Sequence, residues 1–435
     1  MRVAIVDEEL PYPATSGKRI RTLNLTLRLA RRHRLTYICH RNTDEQEACE
    51  AEQYFRSQGI QTIVVDRIAP TGSASRPTLG FYARLAWNLA SRLPYSVQTH
   101  ASRALRQAIT KYASSHHVDL WHCEWSPYAE SLDALNANSK HKRGSRVTVV
   151  MAHNVESLIW QRYYENETNP LKRWYIRHQW KKFQRFERCV FGEATRVVTV
   201  SEEDAKLARR EFGAPRVSVV ENGVDVSYFK PIDMERNPNQ ILFLGSLDWR
   251  PNLDGITQML DRIFPRVLSR HPSAGLVIVG RKPPAWLVDR AGESQNVRLH
   301  ADVADVRPFM HCAGVMAVPL RIGGGSRLKI IEAAACGLPV VSTKVGAEGL
   351  CFAPGEHIVE VESVDDMADA LIHSIGNPQQ HLEMADRAYQ VVVEQYDWDV
   401  LADKLDHVWM KCVGGASLQP ANQAEELERL QTCAT

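Results

Sequence analysis

The chain has 435 residues, of which 44% are apolar and 24% are charged, and its formal net charge is +2. This length predicts two domains of about 200 residues each, and the composition excludes disorder over most of the chain. The near-neutral charge provides no overall field for binding nucleic acid. The nine cysteines are scattered and never form a C-x-x-C pair, so neither a disulfide framework nor a zinc site is predicted.

The N-terminal segment MRVAIVDEEL begins a strand at once and carries acidic residues where a signal peptide needs an apolar core. No apolar run reaches the length of about 18 residues that a membrane-spanning helix requires. We therefore expect a cytoplasmic protein.

Short apolar runs alternate with helical stretches in two successive sets, a pattern typical of α/β proteins whose parallel sheets are covered on both faces. The first set of predicted strands comprises residues 3–6, 35–39, 62–65, 118–122, 147–152, 196–200 and 217–220. The second set comprises residues 241–244, 276–280, 297–300, 314–319, 339–342 and 357–361. Two doubly wound domains follow from this order.

The segment 229–240 contains two prolines and four charged residues, and it is the predicted linker between the two sets. The predicted domains are therefore residues 1–232 and 239–395. We expect a further helix over 396–412 and a polar tail over 413–435.

The segment 315–343 carries the strongest functional pattern. A strand-like run ends in Gly323, Gly324 and Gly325, and Ser326 is predicted to cap a helix over 328–336. Such a turn directs backbone N–H groups and the positive end of the helix toward a ligand that is usually a phosphate. The alternative is a strand–helix unit whose glycines only permit close packing.

Two cations and one carboxylate follow the glycines. Arg327 and Lys329 supply positive charge, and Glu332 lies three residues after Lys329 on the same side of the helix. A cation for phosphate and a carboxylate for hydroxyl groups suit a nucleotide-sugar. This combination favours the functional interpretation of the loop.

This segment and five further motifs resemble, in the expected order, the retaining glycosyltransferases of family 4, which have the GT-B fold. The others are TSGKRIRTLNL (15–25), HNVES (153–157), VTVSEED (198–204), ENGVDVSYFKP (221–231) and FLGSLDWRPNLDG (243–255). The resemblance is greatest to bacterial sugar transferases of exopolysaccharide and surface-glycan assembly. It implies two Rossmann-like doubly wound domains that face each other across a cleft, with the donor on the second domain and the acceptor on the first. It also implies that the helix over 396–412 returns to the first domain.

The resemblance also implies a chemistry. A nucleotide-diphosphate sugar would be the donor, and a glycan or a polyprenyl-linked molecule the acceptor. The acceptor would attack from the face that the diphosphate leaves, so neither a protein nucleophile nor a metal ion or other cofactor would be needed. The motifs leave the base, the sugar and the linkage open.

In the first domain, the resemblance points to Gly17 and His153. Gly17 would contact the donor diphosphate or the acceptor through its backbone N–H, or would simply form a turn before the next helix. This loop is not a nucleotide-binding P-loop, because Arg19 replaces the magnesium-binding Ser or Thr and Tyr12 replaces the first glycine. His153 follows an apolar strand and corresponds to the family's histidine near the reacting carbon, although a structural role stays open.

In the second domain, this chain departs from the family pattern at two places. Many relatives carry an arginine and a lysine after the first strand, where this chain has Ser246 and later Arg250. A glutamate expected seven residues before Glu332 is replaced by Gly324. We expect Arg327 and Lys329 to take over the lost charge, and Glu332 to contact the nucleotide ribose.

Two aspartate pairs resemble metal-binding motifs but are better explained as helix caps. Asp397 and Asp399 form the one D-x-D sequence but open the predicted terminal helix, and Asp302 and Asp305 also precede a helix. Two alternatives to a transferase remain: an epimerase or hydrolase built on the same fold, and a non-catalytic glycan-binding subunit.

A basic helix is predicted around residues 172–188. The lysines and arginines are residues 172, 173, 177, 181, 182, 185 and 188, and an apolar stripe is formed by Ile176, Trp180, Phe183, Phe186 and Val190. The stripe either packs on the first domain with its cations in solvent, or the cations contact anionic lipid beside a lipid-linked acceptor. The second interpretation places the protein peripherally at the inner face of the cell membrane.

Overall fold

All the strands in the described part of the chain are parallel, and they form two separate sheets. The computed structural model describes residues 1–67, 79–100, 102–133, 135, 146–321 and 327–416. The chain divides into two compact units, Met1–Glu221 with Ala402–Thr435 and Asn222–Leu401.

The sheet of the first unit has the strand order β3-β2-β1-β4-β5-β6-β7. Its strands are β1 (Arg2–Val6), β2 (Arg34–His40), β3 (Gln61–Val65), β4 (Leu120–Cys123), β5 (Thr148–Ala152), β6 (Arg196–Thr199) and β7 (Val217–Val219). Val3 is in register with Leu35 on one side and with Leu120 on the other. The strand order therefore reverses between β1 and β4, where open α/β sheets place their ligands beyond the carboxyl ends.

The sheet of the second unit has the order β10-β9-β8-β11-β12-β13. Its strands are β8 (Asn237–Leu244), β9 (Gly275–Gly280), β10 (Val297–Ala301), β11 (Ala313–Val318), β12 (Val340–Thr343) and β13 (Val359–Val361). Leu242 and Leu244 pack into a core on one face, whereas Ile241 and Phe243 pack into a core on the other. Burial on both faces explains the continuous apolar runs of the sequence.

Helices cover the sheets. In the first unit they are Gly17–Ala30, Glu45–Ser57, Leu79–Ala90, Tyr95–His100, Arg103–Ser115, Glu156–Asn166, Pro170–Glu193 and Glu202–Phe212, with a 3-10 helix at Ser126–Leu132. In the second unit they are Arg250–Gln258, Phe264–Arg270, Ala285–Gly292, Arg307–Cys312, Leu328–Ala335, Lys344–Ala347, Val364–Gly376 and Pro378–Gln395, with a π turn at Met259–Ile263. The predicted α/β class with two doubly wound, Rossmann-like domains is confirmed.

The segment predicted as a linker, 229–240, is largely built into the second unit. Its last residues form the start of β8, and Phe229 packs against the core of that unit. The Val224 N–H donates a hydrogen bond of 2.8 Å to the Tyr396 carbonyl. For these reasons the units divide at Glu221, earlier than the predicted boundary at 232.

The last described helix, Trp398–Ala416, begins in the second unit and continues in the first from Ala402 onward. Trp409 is 1% exposed, and its indole N–H reaches the ring of His122. The structure thus ties this helix to β4 of the first unit. Residues 417–435 of the predicted tail lie outside the described residues.

Candidate functional site

The loop after β8 and the helix Leu328–Ala335 meet at Lys329. Its Nζ donates a hydrogen bond of 2.9 Å to Asn252 Oδ1. A Cβ atom added at Gly245 would lie 2.8 Å from the same Nζ. Because Gly245 has no side chain, the Lys329 ammonium group can lie close to the backbone at the end of β8.

Asn252 is itself held by the loop that contains Ser246. Its amide Nδ2 donates to the Ser246 carbonyl over 2.9 Å, while the Ser246 hydroxyl donates to Asp248 over 2.7 Å. Arg250 is exposed and is the first residue of the helix that carries Asn252. The structure therefore joins Ser246 to Lys329 through Asn252, and leaves the Arg250 side chain in solvent.

Lys329 and Glu332 have opposite charges in a half-buried setting. Burial lowers the pKa of Lys329 to about 8, although Glu332 acts in the other direction. Burial raises the pKa of Glu332 to about 7, against the attraction of Lys329. Within the described residues the Glu332 carboxylate makes no hydrogen bond. Both side chains thus titrate near neutral pH, and an anionic ligand would favour the charged lysine.

Arg327 occupies the N-cap of this helix, with a left-handed backbone at φ 49°. Leu328 is the first helical residue, which agrees with the predicted start of this helix. The Arg327 guanidinium donates to the Val345 carbonyl at 3.2 Å and to Glu348 Oε2 at 2.9 Å. Gly323, Gly324, Gly325 and Ser326 lie outside the described residues.

In the first unit, Gly17 is the first residue of the helix Gly17–Ala30. Ser16 is the N-cap, and its hydroxyl accepts a hydrogen bond from the Arg19 N–H at 3.3 Å. The first N–H groups of a helix have no partner within the helix, so Gly17 presents one such group. The position is compatible with the predicted backbone contact.

His153 follows β5 and is 10% exposed at its side chain. Its Nε2 lies 3.3 Å from Glu124 Oε1, but the approach lacks hydrogen-bond geometry. Burial lowers the pKa of His153, and Arg21 and Lys18 act in the same direction, whereas Glu124 raises it. The histidine therefore lies at the carboxyl end of its strand, as predicted, beside a carboxylate that the sequence analysis did not select.

Glu124 is the functional candidate that sequence reasoning missed. It follows β4 directly, accepts a hydrogen bond of 2.8 Å from the Thr22 hydroxyl, and lies 2.8 Å from His122 Nε2. Burial acts to raise the pKa of Glu124, but the neighbouring imidazoles of His122 and His153 hold that pKa well below its usual range. An acidic residue at the end of a predicted strand was the available signal.

Another set of polar side chains, around Asp7 and Lys18, lies at the carboxyl end of β1. Lys18 Nζ donates a hydrogen bond of 2.7 Å to Asp7 and lies 5.0 Å above the ring of Trp125. The Trp125 N–H donates to Glu156 Oε1 over 2.9 Å. The Glu187 carboxylate accepts one hydrogen bond of 2.7 Å from the N–H of Glu156, the first residue of the helix Glu156–Asn166. Charged and aromatic groups thus share this edge of the first sheet.

The aspartates considered as metal ligands contact backbone groups. Asp397 Oδ1 accepts from the Asp399 N–H over 2.7 Å, and Asp305 Oδ1 accepts from the Arg307 N–H over 2.9 Å. Within the part of the chain that the structure describes, no three His, Cys, Asp or Glu side chains are grouped to hold a metal ion.

The basic helix Pro170–Glu193 buries part of its apolar stripe, with Phe183 1% and Phe186 8% exposed. Lys182 is also buried, and its Nζ donates to Asn88 Oδ1 at 3.3 Å. Lys182 is therefore not a surface cation, contrary to both interpretations of the sequence. The remaining cations of the predicted set are exposed: Lys172, Arg173, Arg177, Lys181, Arg185 and Arg188.

Near the start of this helix, Leu171 is 79% and Trp174 is 57% exposed. None of the helices within the described residues combines the length and apolar character needed to cross a bilayer.

Comparison with known proteins identifies two matching families. Residues 238–377 match the family described as glycosyl transferases group 1, and residues 16–228 match glycosyltransferase family 4. An uncharacterized 44.6 kDa protein from the cps region of Klebsiella pneumoniae is 22% identical over 91% of this chain and 96% of its own length. The phosphatidyl-myo-inositol mannosyltransferase of Mycolicibacterium smegmatis is 29% identical over 51% of this chain, a match that spans 58% of that enzyme.

Solved structures share the fold. Sucrose-phosphate synthase from Thermosynechococcus elongatus has a TM-score of 0.69 and 17% identity, over 95% of this chain and all of that one. HepE of Anabaena, solved with UDP and glucose, has a TM-score of 0.61 and 14% identity, over 94% of this chain and 99% of that one. The two parallel sheets, the motif order and these matches give the GT-B fold and an enzyme that uses nucleotide-sugars: the chain belongs to the group 1 glycosyltransferases, within family 4.

Proposed function

We propose that the chain catalyses retaining, metal-independent transfer of a sugar from a nucleotide-diphosphate sugar to a glycan or polyprenyl-linked acceptor in surface polysaccharide biosynthesis. The observation that supports this most is the position of Lys329 beside Gly245 at the end of β8, with Glu332 on the same helix. A cation and a carboxylate at a helix N-terminus suit a diphosphate and ribose hydroxyls.

In the proposed reaction, the bond between the anomeric carbon and the diphosphate oxygen breaks. The acceptor hydroxyl oxygen bonds to that carbon on the same face, and its proton passes to the departing diphosphate. Lys329 and Arg327 stabilise the negative charge that develops on the diphosphate. Because Arg327 is already paired with Glu348, Lys329 carries the larger share.

The other residues bind the donor. Glu332 accepts from the ribose hydroxyls, and His153 contacts the transferred sugar. The groups assigned to the diphosphate are Gly17, Ser246, Arg250, Gly323, Gly324, Gly325 and Ser326.

The acceptor class is supported by the relatives. The Klebsiella relative spans nearly the full chain and is named for a cps region, and the Mycolicibacterium relative is named for a phosphatidyl-myo-inositol acceptor. With a lipid-linked acceptor, the proposed place of action is the inner face of the cell membrane. The exposed cations of the helix Pro170–Glu193, with Leu171 and Trp174, are the proposed peripheral contact with anionic lipid.

The test is a transfer assay. The purified protein is incubated with UDP-, GDP- and ADP-sugars and a lipid extract that contains polyprenyl-linked saccharides, with and without a metal chelator. We expect acceptor-dependent nucleotide release, a product that keeps the donor's anomeric configuration by NMR, and no loss with the chelator. Donor isomerisation or hydrolysis without an acceptor would instead indicate an epimerase or hydrolase. Nucleotide-sugar binding without turnover would indicate a non-catalytic subunit.

A further inference from the structure

The carboxylate of Glu124 is a meeting point of side chains from different elements of the first unit. Thr22, from the helix Gly17–Ala30, donates to Oε1 over 2.8 Å. His122, from β4, lies 2.8 Å from Oε2, and His153, from the end of β5, lies 3.3 Å from Oε1. Glu124 is 5% exposed, so its charge is stabilised by these neighbours instead of by water.

The tautomer of His122 follows from its second contact. The indole N–H of Trp409 lies 3.2 Å from His122 Nδ1, and both side chains are 1% exposed. Because an indole nitrogen only donates, Nδ1 must accept, and the neutral imidazole carries its proton on Nε2. His122 therefore donates to Glu124. Trp409 lies on the helix Trp398–Ala416, which thereby takes part in a hydrogen-bonded chain that ends beside His153.

The remaining neighbour of Glu124 is His153, whose Nε2 lies 3.3 Å from Oε1 without hydrogen-bond geometry. A carboxylate facing Nε2 favours the tautomer that carries its proton there, which leaves the Nδ1 lone pair for a hydroxyl group. We propose that Glu124 is the positioning residue for His153, and that Trp409 and His122 hold Glu124 in place for that task. This inference rests on the proposed contact of His153 with the donor sugar.

Charged and titratable groups around Glu124 and His153 determine the pH at which His153 is protonated. Besides His122, they are Lys18, Arg21, Tyr37 and Cys123. Burial and the cations Lys18 and Arg21 lower the pKa of His153, and Glu124 is the group that raises it. Replacing the carboxylate by an amide must therefore move the titration of His153 to lower pH.

The first experiment needs no substrate. Histidine-labelled wild type, Glu124→Gln and Trp409→Phe proteins are titrated by NMR, with ring signals assigned through His122→Asn and His153→Asn. We expect His122 to be the Nε2–H tautomer in the wild type and to lose that preference in Trp409→Phe, which keeps an aromatic ring but lacks the donor. We expect the His153 midpoint to fall in Glu124→Gln. Trp398→Phe, a buried tryptophan on the same helix, is the control and should change neither signal.

The second experiment separates this inference from the proposed function. With an active donor and acceptor, Glu124→Gln should lower kcat by about tenfold or more with little change in the donor KM, and Trp409→Phe should act in the same direction but less. If His153→Ala keeps kcat, the proposed role of His153 fails. If His153→Ala loses kcat while Glu124→Gln keeps both kcat and the His153 midpoint, the positioning role is overturned. Should Glu124→Gln fail to fold, an unchanged His122 tautomer and kcat in Trp409→Phe overturn it equally.

Discussion

Gly245 and Lys329 approach so closely that a side chain on the glycine would occupy the place of the lysine's charged end. A Cβ at Gly245 would lie 2.8 Å from Lys329 Nζ and equally close to the Asn252 amide. Both are ends of flexible side chains, so the backbone need not move. A glycine is therefore needed at position 245 to leave room for the Lys329 ammonium group, and not to allow a particular backbone conformation.

The first prediction is that Gly245→Ala folds but loses transfer. The added methyl group displaces Lys329 and Asn252, and a small misplacement of a charge that acts on the transition state costs a large factor in rate. The measurement is kcat/KM together with the melting temperature. Gly292→Ala, at a glycine with open space around its Cβ position, is the control and should keep wild-type activity. Wild-type activity in Gly245→Ala would contradict the assignment of Lys329.

A second prediction concerns the charged pair itself. Lys329→Ala and Glu332→Ala should each fold, because both side chains are only half-buried. Losing an electrostatic contact of this kind costs on the order of 3 kcal/mol in the transition state. We expect Lys329→Ala to lower kcat and Glu332→Ala to weaken nucleotide binding. Lys344→Ala removes an exposed cation of the same unit, and it should leave both quantities unchanged. Near-normal activity in both site variants would refute the donor site.

A third prediction is that nucleotide affinity is greatest between pH values of about 7 and about 8. Above the Lys329 pKa of about 8 the free lysine is neutral, so binding must take up a proton and weakens as pH rises. Below the Glu332 pKa of about 7 the carboxyl is protonated and is a poorer acceptor for ribose hydroxyls. Calorimetric titration of UDP, GDP and ADP across this range measures both limbs.

Two variants show which residue causes the loss of nucleotide affinity at high pH and which causes the loss at low pH. Lys329→Met should flatten the alkaline limb, and Glu332→Gln should flatten the acidic limb while the titration of the nucleotide phosphate remains. A profile that keeps its shape in both variants would show that other groups control the affinity.

The fold was accessible from the sequence because parallel strands buried on both faces read as continuous apolar runs. The runs at 241–244 and 276–280 both became neighbouring strands of the second sheet. Residues 237–240 of the predicted linker form the start of β8, and this run of three polar residues and one proline looks like a loop when considered alone. Backbone pairing at the sheet outweighed local propensity there.

The candidate site could be predicted only in part from the sequence. Lys329 was selected from its motif and Gly245 lies within another of the quoted motifs, but their contact joins residues far apart in the chain. Glu124 was missed because no sequence pattern links it to its partners. Thr22 lies about a hundred residues away in the chain, and His122, two residues away, is part of a buried strand. The burial of Lys182 was not predicted. Helical periodicity shows which face of a helix is apolar, but it does not show that Asn88 accepts a hydrogen bond from the Lys182 ammonium group.

A fourth prediction separates sugar contact from nucleotide contact. His153→Ala should lower turnover more than it lowers donor affinity, since the proposed contact is with the transferred sugar. The comparison requires kcat and a calorimetric Kd for the same donor. His117→Ala, at an exposed histidine of the same unit, is the control and should match the wild type. An unchanged turnover number in His153→Ala would make the residue structural.

The last prediction concerns membrane contact. Lys181 and Arg185 are exposed on the helix Pro170–Glu193, and each cation near an anionic surface adds roughly 1 kcal/mol to binding. We expect the protein to sediment with vesicles containing anionic lipid at low salt and to be released at high salt. Lys181→Ser with Arg185→Ser should weaken sedimentation, as should Trp174→Ser, which removes an exposed aromatic group.

Lys182 is unsuitable for this test because it is buried, and its loss would disturb the contact with Asn88. The matched control is Arg270→Ser with Arg298→Ser, which removes the same charge from exposed positions of the second unit. The control should bind vesicles like the wild type, because the attraction is local to one helix and not a property of a chain whose net charge is only +2. No sedimentation at low salt, or equal losses in the helix variant and the control, would show that this helix does not contact lipid.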